Sequence, residues 1–259
     1  MNVTYGSYLK IPTLLGLQQP LADPPQHDEM LFIVIHQVYE LWFKLLLHEV
    51  DRGKQELSAN DLFGAIARFK RLRTVLKTLV EQLDILETMT PLSFLTFRDR
   101  LETASGFQSA QFRALEFVLG HKRREMIAHY RDPAEQAMLE RRLAERTLVD
   151  HFYDFLAARG AAVPGALRSR RLDESNSASE ALQPELVRLF TSAPDVAILL
   201  ELMTDFDEGL QEWRYRHVKM VERTIGNKKG TGGSSGAEYL RRSLFQPVFP
   251  DLWAIRQQL

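Results

Sequence analysis

The sequence predicts an all-α protein, a helical bundle of long helices with short accessory ones, from three observations. Apolar residues recur every three or four positions over long stretches, the sustained alternation and β-branched clusters of strands are missing, and capping residues bracket the periodic segments. With 259 residues, 45% of them hydrophobic and 26% charged, the chain can bury a large core. It shows no internal repeat and is read as one domain, residues 1–259.

The first long helix runs from Asp28 to about Leu57, because Leu31, Val34, Ile35, Val38, Leu41, Trp42, Leu45 and Leu46 make one wide apolar face. A second opens with Asn60 as N-cap and carries Phe69, Leu72, Leu76, Leu79, Leu83 and Leu86 on one side. Thr90 and Pro91 read as N-cap and first position of a short helix reaching about Leu101. "TASGFQS" is a loop feeding a helix from about Gln108 to Leu119, closed by Gly120.

Asp132 and Pro133 start another helix, and "TLVDHFYDFLAARG" supplies one more, ending at Gly160. Residues 166–181 are polar and read as an exposed connection. A long helix follows from about Asp195 to Ile225, stopped by Gly226; beyond the glycine-rich loop, "AEYLRRSLF" and "PDLWAIRQQL" are short helices.

Composition narrows the function. Lys plus Arg number 33 against 34 Asp plus Glu, so there is no net basic field for nucleic acid or an anionic membrane, and the partner is a small molecule or a protein. No run of about 18 apolar residues suggests a membrane span, and "MNVTYGSYLK" lacks a secretion signal's apolar core, which predicts a cytoplasmic protein. Cysteine is absent, which removes disulfides, thiolate nucleophiles, Cys-ligated zinc and iron–sulfur clusters. A bound metal would draw on His27, His36, His48, His121, His129, His151 or His217, on carboxylates, Tyr or Met.

His217 lies on an apolar helical stripe with Leu210, Trp213, Met220, Val221 and Thr224. Two readings stand there: a core histidine satisfied by one hydrogen bond, or an axial ligand of heme iron held by a rigid helix. His36 sits among Phe32, Tyr39 and Phe43 on the first long helix, which is either an aromatic core seam or a flat slot. Arg98 precedes a Ser-Gly turn and has the residue type that grips carboxylates, although most helical arginines are simply solvated.

"GTGGSSG", residues 230–236, lacks the lysine and the preceding strand of a phosphate loop; it reads as a linker or as a mobile segment whose N–H groups and Thr231 close over a charged ligand. "HDE" at 27–29 cannot be a facial ligand set, since consecutive helical residues point apart. The basic runs "FKRLR" and "HKRREM" read as solvated helix faces.

Taken in order, "TYGSYL", "QQPLADPP", "HDEMLFIVIHQVYELWFKLLLHE", "LETMTP", "FRDRLETASGFQSAQFRALEFVLGHK" and "WRYRHVKMVERTIGNKKGTGGSSGAEYLRRSL" resemble the tryptophan 2,3-dioxygenase family. The resemblance spans nearly the whole chain apart from about residues 125–195. It implies that His217 is the proximal ligand of heme b iron and that His36 faces the indole N–H of L-tryptophan. Phe32 would pack on the indole, Arg98 hold the substrate carboxylate, Thr231 meet its ammonium and carboxylate, and Ser105 belong to a turn over the distal heme face.

The resemblance also implies a homotetramer, with an N-terminal arm (residues 1–25) packing on a neighbour and carrying Tyr5 and Tyr8 into that neighbour's pocket. The implied reaction adds O2 across carbons 2 and 3 of the indole, giving N-formylkynurenine with no external electron donor. Ile35, Tyr39, Leu83 and Phe94 depart from the usual family pattern, and Tyr39 is expected to add bulk and a hydroxyl beyond His36. These departures keep open a heme monooxygenase acting on a methylated tryptophan in a biosynthetic pathway; a non-catalytic heme gas sensor is the alternative of another class.

Overall fold

A computed structural model describes residues 2–232 and 235–259; Gly233 and Ser234 of the glycine-rich loop lie outside the described residues, as does Met1. The fold is all-α. In chain order the α-helices are α1 Tyr5–Tyr8, α2 Ile11–Leu14, α3 His27–Ser58, α4 Leu62–Leu86, α5 Pro91–Leu95, α6 Ala110–Val118 and α7 Pro133–Leu143. They continue as α8 Leu148–Ala158, α9 Gly165–Arg168, α10 Gln183–Ser192, α11 Pro194–Ile225, α12 Ala237–Arg241 and α13 Pro250–Ala254.

Three long helices set the frame. α4 lies against both α3 and α11, while α6 and α8 cover other parts of α3. Leu72, Leu76, Leu79 and Leu83 form the inner stripe of α4 and are almost wholly buried. Each such side chain contributes about 1.5–3 kcal/mol by leaving water, so this single seam outweighs any helix propensity in the same segment. Phe69 packs edge-on to Phe206 of α11, joining the two helices at the far end of the bundle.

The caps explain where helices begin. The Asp61 carboxylate accepts the Gly64 N–H at 2.9 Å and starts α4; Asn60, expected in that role, instead takes a left-handed φ of 54° and accepts from Arg159. Both residue types cap, and the tight α3–α4 turn decides between them. The helix expected from Pro91 to about Leu101 is divided into α5 and a 3-10 turn, Arg98–Leu101. Likewise α6 starts at Ala110 behind its N-cap Ser109, with a separate 3-10 turn at Gly106–Gln108.

Other expectations are corrected by packing. α1, α2, α9 and α10 had no strong sequence signal. Residues 166–181 are mostly exposed, yet they form a pinned strap: Asn176 donates to the Leu119 and Val248 carbonyls, and Arg170 pairs with Asp150. Gly120, at φ 101°, lets Asn176 in, since a Cβ there would stand 2.1 Å from its amide. In "HKRREM", Lys122 is buried and donates to the Arg142, Leu143 and Glu145 carbonyls, closing the end of α7.

By length and composition α3 could cross a membrane, contrary to the sequence expectation, but its apolar face packs on α4, α6 and α8. The C-terminal segment is tied to α11 by Asp207, which accepts the Val248 and Phe249 N–H groups at 2.9 Å and the Trp253 indole at 3.0 Å. That anchor holds residues 243–249 beside the site described next.

Candidate active site

Between α3 and α11 lies a cavity of about 250 Å³, lined also from α5, α6, the segment 98–109 and, beyond α11, Gly230, Thr231, Gly236, Tyr239, Leu240 and Ser243. Helical spacing puts Phe32, His36, Tyr39 and Phe43 on one wall, and Trp213, His217, Met220, Val221 and Thr224 on the other. Leu83, Leu86, Met89 and Phe94 add a purely apolar side. The two histidines singled out in the sequence therefore face one space.

Both imidazoles are neutral near pH 7. Burial pushes His217 down to about 4, with His36 adding to the shift, and the exposure the ring keeps is to the cavity. No described residue hydrogen-bonds His217; it lies parallel to the Trp213 ring, centroids 5.2 Å apart. Burial also lowers His36, against the opposing hydrogen bond to Phe32 and the charge of Glu40. Phe32 and His36 stack tilted at 4.0 Å, with Phe94 and Phe97 behind Phe32.

Arg98 stands at the rim. Its Nη2 donates to the Lys229 carbonyl at 2.9 Å, while its Nε is buried without an acceptor. Thr231 donates from Oγ1 to the Ala104 carbonyl, so two hydrogen bonds fasten Lys229 and Thr231, where the glycine-rich loop begins, to the 98–105 segment. Ser105 caps the following turn by accepting the Phe107 N–H. Gly232 lies so near that a Cβ would come within 2.7 Å of the Ser105 Cβ, which explains a glycine at that point.

The cavity has a cationic end that sequence reasoning missed. Arg113, Glu116 and Arg214 are each 3% exposed, and Arg123 completes the group. Glu116 pairs with Arg113 and with Arg123, and Arg214 lies 3.9 Å away. Burial pushes the Glu116 carboxyl up, but the three guanidiniums outweigh it and hold it low. One carboxylate among three arginines leaves an excess of positive charge, and Nε of both Arg113 and Arg214 is buried without an acceptor. Tyr239, on α12, receives a hydrogen bond from Arg123 at 3.2 Å.

Of the atypical positions, Leu83 and Phe94 line the cavity and Ile35 is buried outside its lining. Tyr39 lines it with its ring only, because its hydroxyl donates to the Leu79 carbonyl at 2.7 Å. Tyr5 and Tyr8 are not brought to this cavity; they are 78% and 75% exposed on α1.

The residues able to hold an iron porphyrin are thus His217 as a neutral nitrogen donor, flat aromatic walls, and the arginine cluster, whose unsatisfied Nε–H groups suit the carboxylates at a porphyrin edge.

The family model described as tryptophan 2,3-dioxygenase matches residues 1–164 and 168–259. A tryptophan 2,3-dioxygenase of Herpetosiphon aurantiacus is 54% identical over 257 residues, covering 99% of this chain and 98% of the relative. Proteins of the same name from an Anaeromyxobacter species and a Nocardioides species are 49% and 45% identical, covering 99% and 100% of this chain and 96% and 95% of their own lengths.

Proposed function

Because this chain belongs to the tryptophan 2,3-dioxygenase family, we propose that it is a heme-dependent enzyme that inserts both atoms of O2 at carbons 2 and 3 of the indole of L-tryptophan. One observation carries the reading: two neutral histidines on different helices face a single cavity that has an apolar aromatic side and an arginine rim. The heme, when bound, supplies the one-electron chemistry by which O2 reacts with a closed-shell indole.

In this reading His217 is the iron ligand, and Arg113, Arg123 and Arg214 take the heme carboxylates. Histidine would be the donor to such an iron, since the cysteine-free sequence offers no thiolate. Phe32 stacks on the indole. The Nδ1–H of His36 is engaged by the Phe32 carbonyl, so Nε2 is left as an acceptor for the indole N–H. Arg98 receives the substrate carboxylate on its unsatisfied Nε–H, and Thr231 on the loop adjoins the substrate ammonium and carboxylate. Ser105, against which Gly232 packs closely, helps to keep water from the reacting ring.

The overall reaction balances without a reductant. The C2–C3 bond of the indole breaks, each carbon gains one oxygen, and the product is N-formylkynurenine. Whole-length identity to proteins named dioxygenases favours this over the monooxygenase and sensor readings.

The assembly we propose is a homotetramer in which residues 1–25 pack on a neighbour and present Tyr5 and Tyr8 to its site; the exposure of Leu15, Leu21, Tyr5 and Tyr8 on this arm supports it. The contacts of α3 with α4, α6 and α8 support a soluble, cytoplasmic enzyme. Turnover under isotopically labelled O2 tests the reaction: two labelled atoms per product molecule are expected, whereas one labelled atom with a requirement for reductant overturns it.

A further inference from the structure

We infer that Trp213 is a positioning residue that fixes the plane of the His217 imidazole by face-to-face stacking. The inference rests on His217 being the iron ligand and adds to that assignment what orients the ring. The two rings are one helical turn apart on α11, their planes differ by 5°, and their centroids are 5.2 Å apart, an offset stack in the favourable range.

A metal-binding histidine ordinarily donates its second ring N–H to a carboxylate, carbonyl or water, which fixes ring rotation and raises ligand basicity. His217 has no hydrogen bond to any described residue, so no protein acceptor supplies that restraint. Trp213 stands in its place and is itself immobilised. It meets Phe43 edge-on at 6.0 Å, Phe112 at 5.0 Å and Tyr39 at 6.3 Å. Tyr39 is in turn pinned by its hydroxyl to the Leu79 carbonyl. The restraint therefore passes from α3, α4 and α6 through one indole to the imidazole.

Stacking holds a ring without drawing charge onto it. An imidazole oriented this way stays a plain neutral ligand, less electron-donating than one hydrogen-bonded to a carboxylate, and favours ferrous over ferric iron relative to such a ligand. That suits a reaction consuming no external electrons.

The test compares heme-reconstituted wild type, Trp213→Phe and Trp213→Leu by the iron–histidine stretching band of the ferrous protein, by heme transfer to an apo-globin, and by circular-dichroism melting. Wild type and Trp213→Phe should give one narrow band and similar heme release. Trp213→Leu should broaden or shift the band and release heme about two- to ten-fold faster. A leucine variant with the wild-type band and release rate overturns the inference, as does a phenylalanine variant that loses as much as leucine. Should Trp213→Leu not fold, Phe112→Leu loosens the indole without touching His217 and should broaden the band; an unchanged band there overturns the inference equally. A wild-type protein with no histidine-ligated band would instead defeat the assignment of His217, a separate result.

Discussion

Nδ1 of His36 lies 2.7 Å from the carbonyl oxygen of Phe32, one turn earlier on α3. A carbonyl only accepts, so Nδ1 carries the proton, and in the neutral ring Nε2 is left with a lone pair. An acceptor on a cavity-lining ring suits a donor such as an indole N–H. His36→Ala should keep the heme spectrum and lower kcat/KM about tenfold, the worth of one hydrogen bond. It should also weaken discrimination against 1-methyltryptophan, whose ring nitrogen has no proton; unchanged discrimination would remove His36 from this role.

Arg98 holds the loop through Lys229 and keeps one buried N–H unsatisfied. Arg98→Ala should raise KM for L-tryptophan roughly 30- to 150-fold, the equivalent of about 2–3 kcal/mol for a charge-assisted pair, with the absorption spectrum unaltered. The same variant should bind indole without the amino-acid chain almost as the wild type does. Steady-state kinetics beside an indole titration separates the carboxylate role from a general loosening of the site.

Among the described residues Glu116 is the lone carboxylate within contact of Arg113, Arg123 and Arg214. Glu116→Gln leaves three guanidiniums uncompensated and should destabilise the apo-protein by about 3–5 kcal/mol. Heme carboxylates would restore part of the missing negative charge, so the gap in Tm between variant and wild type should be smaller after reconstitution. Equal gaps in apo- and holo-protein would place the heme carboxylates elsewhere.

The depressed pKa of His217, about 4 against the ordinary 6.5, has a definite sign. Between those values the unfolded chain binds more protons at this group than the folded one, so its contribution to stability falls as pH falls from about 6.5 towards 4. Apo-protein stability measured in urea at several pH values should show wild type losing ground to His217→Leu across that window. A difference independent of pH would mean the imidazole is not buried as a neutral base.

The long helices were legible because helical periodicity is sustained over several turns between clear stops: α3 and α11 differ from their sequence-based bounds only by a residue or so at either end. Their common face was legible too, since Phe32, His36, Trp213 and His217 follow the helical period that also makes them line one cavity. Arg113, Glu116 and Arg123 were not. Their spacing is that of ordinary exposed ion pairs, and only partners distant in sequence, Arg214 and Tyr239, complete the group in which Arg113 and Glu116 are buried. The Tyr39 hydroxyl misled for a similar reason: its partner, the Leu79 carbonyl, is 40 residues away. Helices such as α10 form through contacts with α11 and α13 that no local pattern announces.

The assignment of His217 to the iron is tested most directly by absorption and resonance Raman spectra of heme-reconstituted wild type and His217→Ala. Wild type should show ferrous heme with a single nitrogen ligand, and the alanine variant should lose that signature or fail to retain heme. An alanine variant with the wild-type spectrum would contradict the account.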